Sequence, residues 1–558
     1  MKFLFKIMAA LLLWIFIACN NRTVPSQSNA DSASKGVVVL PDQAVEELAP
    51  PPSSAPYATA KSKFTPPRIV KDEDVKEEEK SAEFNTEDYD HIVENKFLAT
   101  TQNPLSTFSI DVDEAAYSNV RRYINNGSIP PAGAVRIEEM INYFDYNYPQ
   151  PKNDDPFSVN TELSECPWNP QHRLVHIGLQ GKEIQVQHLP NANIVFLIDV
   201  SGSMDEANKL PLVKSSMKLL TDQLRPDDKV AIVVYAGNAG LVLPATSGSN
   251  KMAIKEAIDQ LEAGGSTAGG EGIQLAYKVA RENFIKGGNN RIILATDGDF
   301  NVGASSDDEL VSMIEKERQS GIFLSVLGYG MGNYKDNKMQ QLADKGNGNH
   351  SYIDNINEAR KVLVTEFGST LFTIAKDVKI QIEFNPAKVQ AYRLIGYENR
   401  VMAAEDFNDD KKDAGELGSG HTVTALYEVI PVGVKSEFIG KVDELKYQPA
   451  KSMTAITGGD EIMTIKLRYK KPDGDVSKLI VHPVTDSHLV LANTSDNFRF
   501  SAAVASFGML LRNSEFKQDA TYQQVIQLAK GAKGDDANGY RQEFINLVKA
   551  AGSLTVKK

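Results

Sequence analysis

Between Asn193 and about residue 374, strand-length apolar runs alternate with amphipathic stretches of helix length, and few folds accommodate that order. Ile194-Val195-Phe196-Leu197-Ile198 is apolar at every position, as a strand covered on both faces requires. Val230 to Tyr235, Ile292 to Ala295 and Phe323 to Leu327 repeat the texture. Helical patterns at about 208–224, 251–262, 270–285 and 305–319 separate them. This alternation predicts an α/β fold, a doubly wound and mostly parallel sheet, spanning 190–374. Leu241-Val242-Leu243 predicts a short antiparallel edge strand that Pro244 ends. A helix at about 357–372 closes the unit.

On either side the period changes. Val378, Ile380, Ile382 and Phe384 alternate with polar residues, as do Val423, Ala425, Tyr427 and Val429, and Ile465, Leu467 and Tyr469. Alternation of this kind marks strands with one wet face and predicts a flanking β-sandwich over 375–490. Similar strands at 157–163 and 173–179, within 156–189, are expected to join it, which makes the α/β unit an insertion. Residues 91–155 read as an N-terminal α/β module, with helices at 115–126 and 136–143, and 491–558 read as a small helical region broken at Gly531 and Gly539. Asp111 and Asp113 are expected to be strand-end or helix-cap carboxylates rather than a metal pair.

The first 90 residues differ from everything after them. Lys2 and Lys6 precede an uncharged run from Ile7 to Ala18, too short to span a bilayer comfortably. Phe16-Ile17-Ala18-Cys19 resembles a bacterial lipobox, in which the cysteine carries lipid and begins the mature chain; Phe16 departs from the usual leucine. Residues 1–18 thus read as a signal peptide and Cys19 as the lipidation site. Residues 19–90 are rich in Ser, Ala, Pro and then charge, and bury too little apolar surface to fold, so they read as a tether. The expected address is the cell envelope, on a lipid anchor; the absence of Asp after Cys19 favours the outer membrane. Cys166 is the one other cysteine, which excludes a disulfide within the mature chain, and it reads as a packed small side chain. A net charge of −13 argues against nucleic acid as partner.

In such sheets, ligands sit where strand C-termini open into loops. The first strand runs into Asp199-Val200-Ser201-Gly202-Ser203, and the third runs into Thr296-Asp297-Gly298. Thr267 lies on the loop before the helix at 270–285. Asp199, Ser201, Ser203, Thr267 and Asp297 all offer hard oxygen, suited to Mg²⁺, or to Mn²⁺ or Ca²⁺. Two carboxylates and three hydroxyls leave a coordination position open.

This set resembles the metal-ion-dependent adhesion site of von Willebrand factor type A domains. The resemblance implies that Ser201, Ser203 and Thr267 ligate the ion directly or nearly so, that Asp199 and Asp297 act through water, and that a partner's Asp or Glu completes the coordination. Leu98 to Asp113, Cys166-Pro167-Trp168-Asn169-Pro170 and Ala414 to His421 further resemble bacterial YfbK-type proteins, which join an N-terminal module, a type A domain and a C-terminal module.

Other motifs are weaker. Asp406-Phe407-Asn408-Asp409-Asp410 begins like a Ca²⁺ loop, but Lys411 and Leu417 replace its Gly and Glu. Gly328-Tyr329-Gly330-Met331-Gly332 lacks dinucleotide spacing and reads as a loop shaping the metal face. No zinc spacing, phosphate loop or nucleophilic triad appears, and His350 reads as structural. The expectation is therefore a protein-binding module, not an enzyme, with no small-molecule substrate. The alternatives are a metal-dependent hydrolase, for which Asp299 is the candidate base, and a regulatory subunit of an envelope remodelling complex. If Cys19 carries the anchor, Cys19→Ser abolishes incorporation of labelled palmitate and moves the protein out of the membrane fraction.

Overall fold

The computed structural model describes residues 86–556 apart from 153, 186–188, 267–268, 299–306, 367–371, 440–458 and 487. The signal and lipidation readings, including Cys19, lie outside the described residues, as do Thr267 and Asp299.

In chain order, β1 (Leu98–Ala99) and β2 (Leu105–Ser109) lead into helices α1 (Ala115–Asn125) and α2 (Ile137–Asn142). A long hairpin follows, β3 (Phe157–Cys166) and β4 (Asn169–Gly181). The α/β unit comes next. Its strands are β5 (Ala192–Asp199), β6 (Lys229–Tyr235), β7 (Ala239–Ser247), β8 (Asn289–Thr296), β9 (Ile322–Gly328) and β10 (His350–Tyr352). Between and after them run α3 (Leu210–Gln223), α4 (Lys251–Asp259), α5 (Gly269–Glu282), α6 (Asp307–Gln319), α7 (Asp336–Lys345) and α8 (Ile356–Arg360). The remainder supplies β11 (Thr373–Phe384), β12 (Val389–Ile395), β13 (Val401–Met402), β14 (Gly415–Gly418), β15 (Thr422–Pro431), β16 (Glu461–Lys470) and β17 (Lys478–Thr485). Helices α9 (Asp496–Arg512), α10 (Tyr522–Gly531) and α11 (Tyr540–Val556) end the fold.

The α/β sheet has order β10-β9-β8-β5-β6-β7, parallel except for β7. Every residue of β5 and β8 is buried, because helices cover both faces. Ile194, Phe196 and Ile198 pack on one side with Val213, Met217 and Leu220 of α3. Val195 and Leu197 pack on the other with Ile273, Ala276 and Tyr277 of α5. Edge strand β7 runs through Pro244 instead of stopping there. Its register against β6 slips between Val230 and Ile232, so the residue without an N–H falls at an irregularity where no ladder bond is lost. Helix α7 and strand β10 were not foreseen.

Two antiparallel sheets, β1-β12-β15-β4-β3 and β13-β2-β11-β16-β17, enclose a shared core that includes Val175, Ile177 and Tyr427 from one and Phe108, Ile380 and Ile465 from the other. Strand β4, before the α/β unit, pairs with β15, far beyond it, through Ile177↔Ala425. The unit thus enters the chain between two strands of this sandwich. Residues expected to form an N-terminal module share their elements with the C-terminal region: β2 pairs with β11, and α1 and α2 join α9, α10 and α11 in one core with Tyr117, Phe144, Phe500, Phe507 and Phe544. Helix α9 begins where the Ser495 hydroxyl accepts from Phe498 N and ends at Asn513 in the left-handed region, φ 55°.

Charges hold the inserted unit to this frame. Asp111 and Asp113 do not cap α1, whose Ala116 N–H is taken by Glu139 at 2.9 Å. They bind Arg400 instead, at 2.8 and 3.3 Å, alongside Asp344 of α7 at 2.9 Å. Arg136 of the frame pairs with Asp336, and Arg121 with Asp354 and Glu358. The backbone of the acidic loop around 406–410 is held by lysines: Lys379 donates to the carbonyls of Asp406 (3.1 Å) and Asp409 (2.5 Å), and Lys470 to that of Asp410 (2.6 Å). Burial pushes the Cys166 thiol well up, consistent with a packed and inert side chain.

Glu428 on β15 is fully buried and gathers Trp168 Nε1 (3.0 Å), His172 Nδ1 (2.5 Å), Arg393 Nη2 (2.9 Å) and Gln518 Nε2 (3.1 Å). It ties the β3–β4 hairpin to β12 and to the C-terminal helical layer. Glu428→Ala strands the buried Arg393 cation and is expected to cost about 3–5 kcal/mol of unfolding free energy, read by urea denaturation.

Candidate metal site

Parallel pairing of β5 and β8, with Ile198 opposite Ala295, brings the residues just beyond both strands to one edge of the sheet. Asp199 and Asp297 therefore lie side by side, and both are fully buried. Asp199 Oδ1 accepts from Ser201 N at 2.9 Å, which folds the loop back on its own strand. Asp199 Oδ2 accepts from the Thr296 hydroxyl at 3.3 Å, and the Tyr235 hydroxyl also bonds this carboxylate. Ser201 Oγ and Ser203 Oγ stand 3.1 Å apart; Ser201 is buried, whereas Ser203 is exposed. The loop before α5 closes against them, with Gly264 N donating to Val200 O (2.7 Å) and Gly202 N to Gly265 O (3.0 Å). Gly265 has φ +85°, and a Cβ there would lie 3.2 Å from Gly237 N. Of the five expected ligands, four are thus brought together; the fifth, Thr267, is outside the described residues.

Lys209 is a site residue that the motif did not indicate. Its ammonium is buried and donates to Asp297 Oδ2 at 3.2 Å and to Ser203 O at 3.0 Å. It occupies the N-cap of α3, where the helix dipole disfavours a cation, and that misplacement was the available signal. Asn333 adds a bond to Asp297 at 3.4 Å. The Gly328–Gly332 loop flanks the site: a Cβ at Gly330, φ +73°, would lie 2.5 Å from Lys209 Cε. The same loop is held from the far side by Glu87, which accepts from Gly332 N at 2.8 Å and from Arg122 at 2.7 and 2.8 Å. Burial alone would raise the Glu87 carboxyl, but Arg122 and this N–H hold it down at about 2.

Burial pushes the Asp199 carboxyl up to about 6, against the bonds from Ser201. Two buried carboxylates, of which Asp297 is bonded by Lys209, form a hard, electron-rich pocket that fits a small divalent cation. Among the described residues no group of three or more His, Cys, Asp or Glu side chains is assembled for a metal, so any ion here would depend on the serine hydroxyls. Asp205, beside the serine loop, is exposed, and His350, read as structural, is buried against Tyr334, its Nε2 at 2.5 Å from the phenol.

Family models agree with this architecture. The model for the von Willebrand factor type A domain matches residues 193–364, and one described as von Willebrand factor matches 83–176. One described as uncharacterized protein YfbK, C-terminal, matches 369–554. The chain is 45% identical over 474 residues to protein YfbK of Escherichia coli (strain K12), covering 84% of this chain and 81% of that one. It belongs to the YfbK family. Beyond that family, an uncharacterized Synechocystis protein is 31% identical over 170 residues, 30% of this chain and 39% of its own. Among solved structures, a von Willebrand factor type A protein from Catenulispora acidiphila is similar over 70% of this chain and 89% of its own, at 16% identity and a TM-score of 0.38. Proximal thread matrix protein 1 of the mussel byssus, solved with a zinc-occupied MIDAS motif, is similar over 31% of this chain and 44% of its own, at 26% identity and a TM-score of 0.26.

Two outcomes follow for this YfbK-family chain. Lys209→Met removes a cation that competes for Asp297 and is expected to raise Mg²⁺ or Mn²⁺ affinity by about tenfold, the scale on which a neighbouring like charge shifts an ionisation, while lowering the melting temperature of the metal-free protein. Asp199 must be ionised to favour a cation. Metal affinity is therefore full above about pH 6 and falls by up to about tenfold per unit below it, measurable by calorimetric titration.

Proposed function

We propose that this protein is a lipid-anchored cell-envelope module that captures partner proteins through a divalent cation held by Asp199, Ser201, Ser203, Thr267 and Asp297. The carrying observation is the pair of fully buried carboxylates at an open sheet edge, with Lys209 in bonding contact with one of them and an exposed serine at the rim. Burying two like charges side by side is costly unless a cation compensates both, and Lys209 is bonded to Asp297. When bound, the ion would supply positive charge that hydroxyl ligands leave under-neutralised, and so attract an Asp or Glu presented by a partner.

The chain's own residues do the rest. Asp199 holds the Ser201 loop in place, Thr296 and Tyr235 orient Asp199, and Asn333 with Lys209 orients Asp297. Exposed Met331, on the loop beside Lys209, offers apolar surface at the rim for a partner to cover. The polar groups at this edge are engaged with one another as orienting partners, which favours binding over turnover.

The test is co-purification of envelope partners with the intact lipoprotein in Mg²⁺ and in EDTA, with Asp199→Ala in parallel. Partners held in Mg²⁺ and released by both EDTA and the substitution support the reading. Partners retained under all conditions, or Mg²⁺-dependent turnover of ester or phosphate substrates, would replace it.

A further inference from the structure

Remote from the metal edge, a cavity of about 310 Å³ opens between the α/β unit and the sandwich. Its walls carry Arg291 of β8, Arg318 of α6, Asp344 of α7 and Asn347 from one side, and Arg400, Asp413 and Glu416 from the other. That volume lies at the lower end of the range for ligand pockets, roughly 300–1,000 Å³. Most of the charges in it are matched. Arg400 takes Asp111, Asp113 and Asp344; Arg318 takes Asp413 at 2.6 Å; Lys361 takes Glu114 and Glu366.

Among the described residues, two groups in it are not matched. Arg291 is 2% exposed and makes no ion pair among these residues: Nη1 donates to Ser325 Oγ at 2.7 Å, Nε finds no hydrogen-bond partner among them, and the guanidinium lies 5.6 Å from the Phe323 ring centre. Glu416 likewise contacts no cation among the described residues; Asn347 Nδ2 reaches its Oε1 at 3.4 Å. The two feel each other's charge without a hydrogen bond or ion pair between them. Burial draws the Arg291 guanidinium down to about 10 and pushes the Glu416 carboxyl up to about 8, the directions expected of charges that lack close partners. A cavity walled by one unmatched cation and one unmatched acid is complementary to a molecule carrying both signs.

We propose that this cavity is a binding site for a small zwitterion of the amino-acid type, whose carboxylate pairs with Arg291 and whose ammonium pairs with Glu416. A simple anion would meet Arg291 but also face Glu416, Asp413 and Asp344. A simple cation would be repelled by Arg291. The zwitterion completes both groups, and its ammonium takes the place of the proton that Glu416 otherwise retains at neutral pH.

The experiment is calorimetric titration of the full-length lipoprotein in detergent with glycine, L-alanine and L-glutamate, and with acetate and methylammonium as half-ligands. At least one amino acid is expected to saturate the protein, with both half-ligands at least about tenfold weaker, as losing one charge-assisted contact entails. Arg291→Gln and Glu416→Gln are each expected to weaken it by about tenfold or more, with Arg291→Lys retaining part of the affinity. Thermal melting without ligand monitors folding, and Arg291→Gln, which relieves an unpaired buried charge, is expected not to melt lower than the parent. The proposal is overturned by no saturation with any of the three amino acids up to about 10 mM, by acetate binding as well as they do, or by unchanged affinity in either glutamine variant. Metal binding at Asp199 and Asp297 is measured independently and bears on neither outcome.

Discussion

The structure depends on a buried seam of charge between the inserted α/β unit and the frame that carries it. Arg400 collects Asp111 and Asp113 from the frame and Asp344 from α7, while Arg136 and Arg121 reach across to Asp336 and to Asp354 and Glu358. Desolvating that many charges contributes little net stability, since attraction roughly offsets the loss of hydration. What it contributes is register. An apolar contact tolerates sliding, whereas each guanidinium is satisfied in one position only. The seam therefore sets where the inserted unit sits, and so which way its metal edge faces.

The same seam leaves two contrasting sites. At the C-terminal edge of the sheet, Asp199 and Asp297 are gathered by parallel pairing and surrounded by Lys209, Thr296, Tyr235 and Asn333. Remote from it, where sheet and sandwich face each other, Arg291 and Glu416 line a cavity without matching partners among the described residues. One site follows from the topology of the sheet, the other from how the sheet is docked.

Glu87 adds a mechanical point. Its carboxylate joins the segment around residue 87 to the Gly328–Gly332 loop, and that loop touches Lys209 while the adjoining Asn333 bonds Asp297. That segment is thus bonded to the loop that flanks the two carboxylates.

Asp199, Ser201, Ser203 and Asp297 were legible because apolar strands of fixed length end in them, and parallel strands deliver their ends to one edge. The period-two strands were legible for the same local reason. Pro244 was misread because an edge strand tolerates a missing N–H at a slip in register, which pattern does not reveal. Helix α7 was missed because Met339, Leu342 and Ala343 are its few apolar residues and its burial comes from the frame. Asp111 and Asp113 looked like caps because a carboxylate before a helix usually is one; their arginine stands almost 300 residues away, at Arg400. The sequence by itself determined the sheet, the edge at which Asp199 and Asp297 meet and the sandwich strands, since these depend on periodicity and turn chemistry over short spans. Only the tertiary structure decided which buried charges are matched, as Lys209 is, and which are not, as with Arg291 and Glu416, because a charge is matched by what lies near it in space.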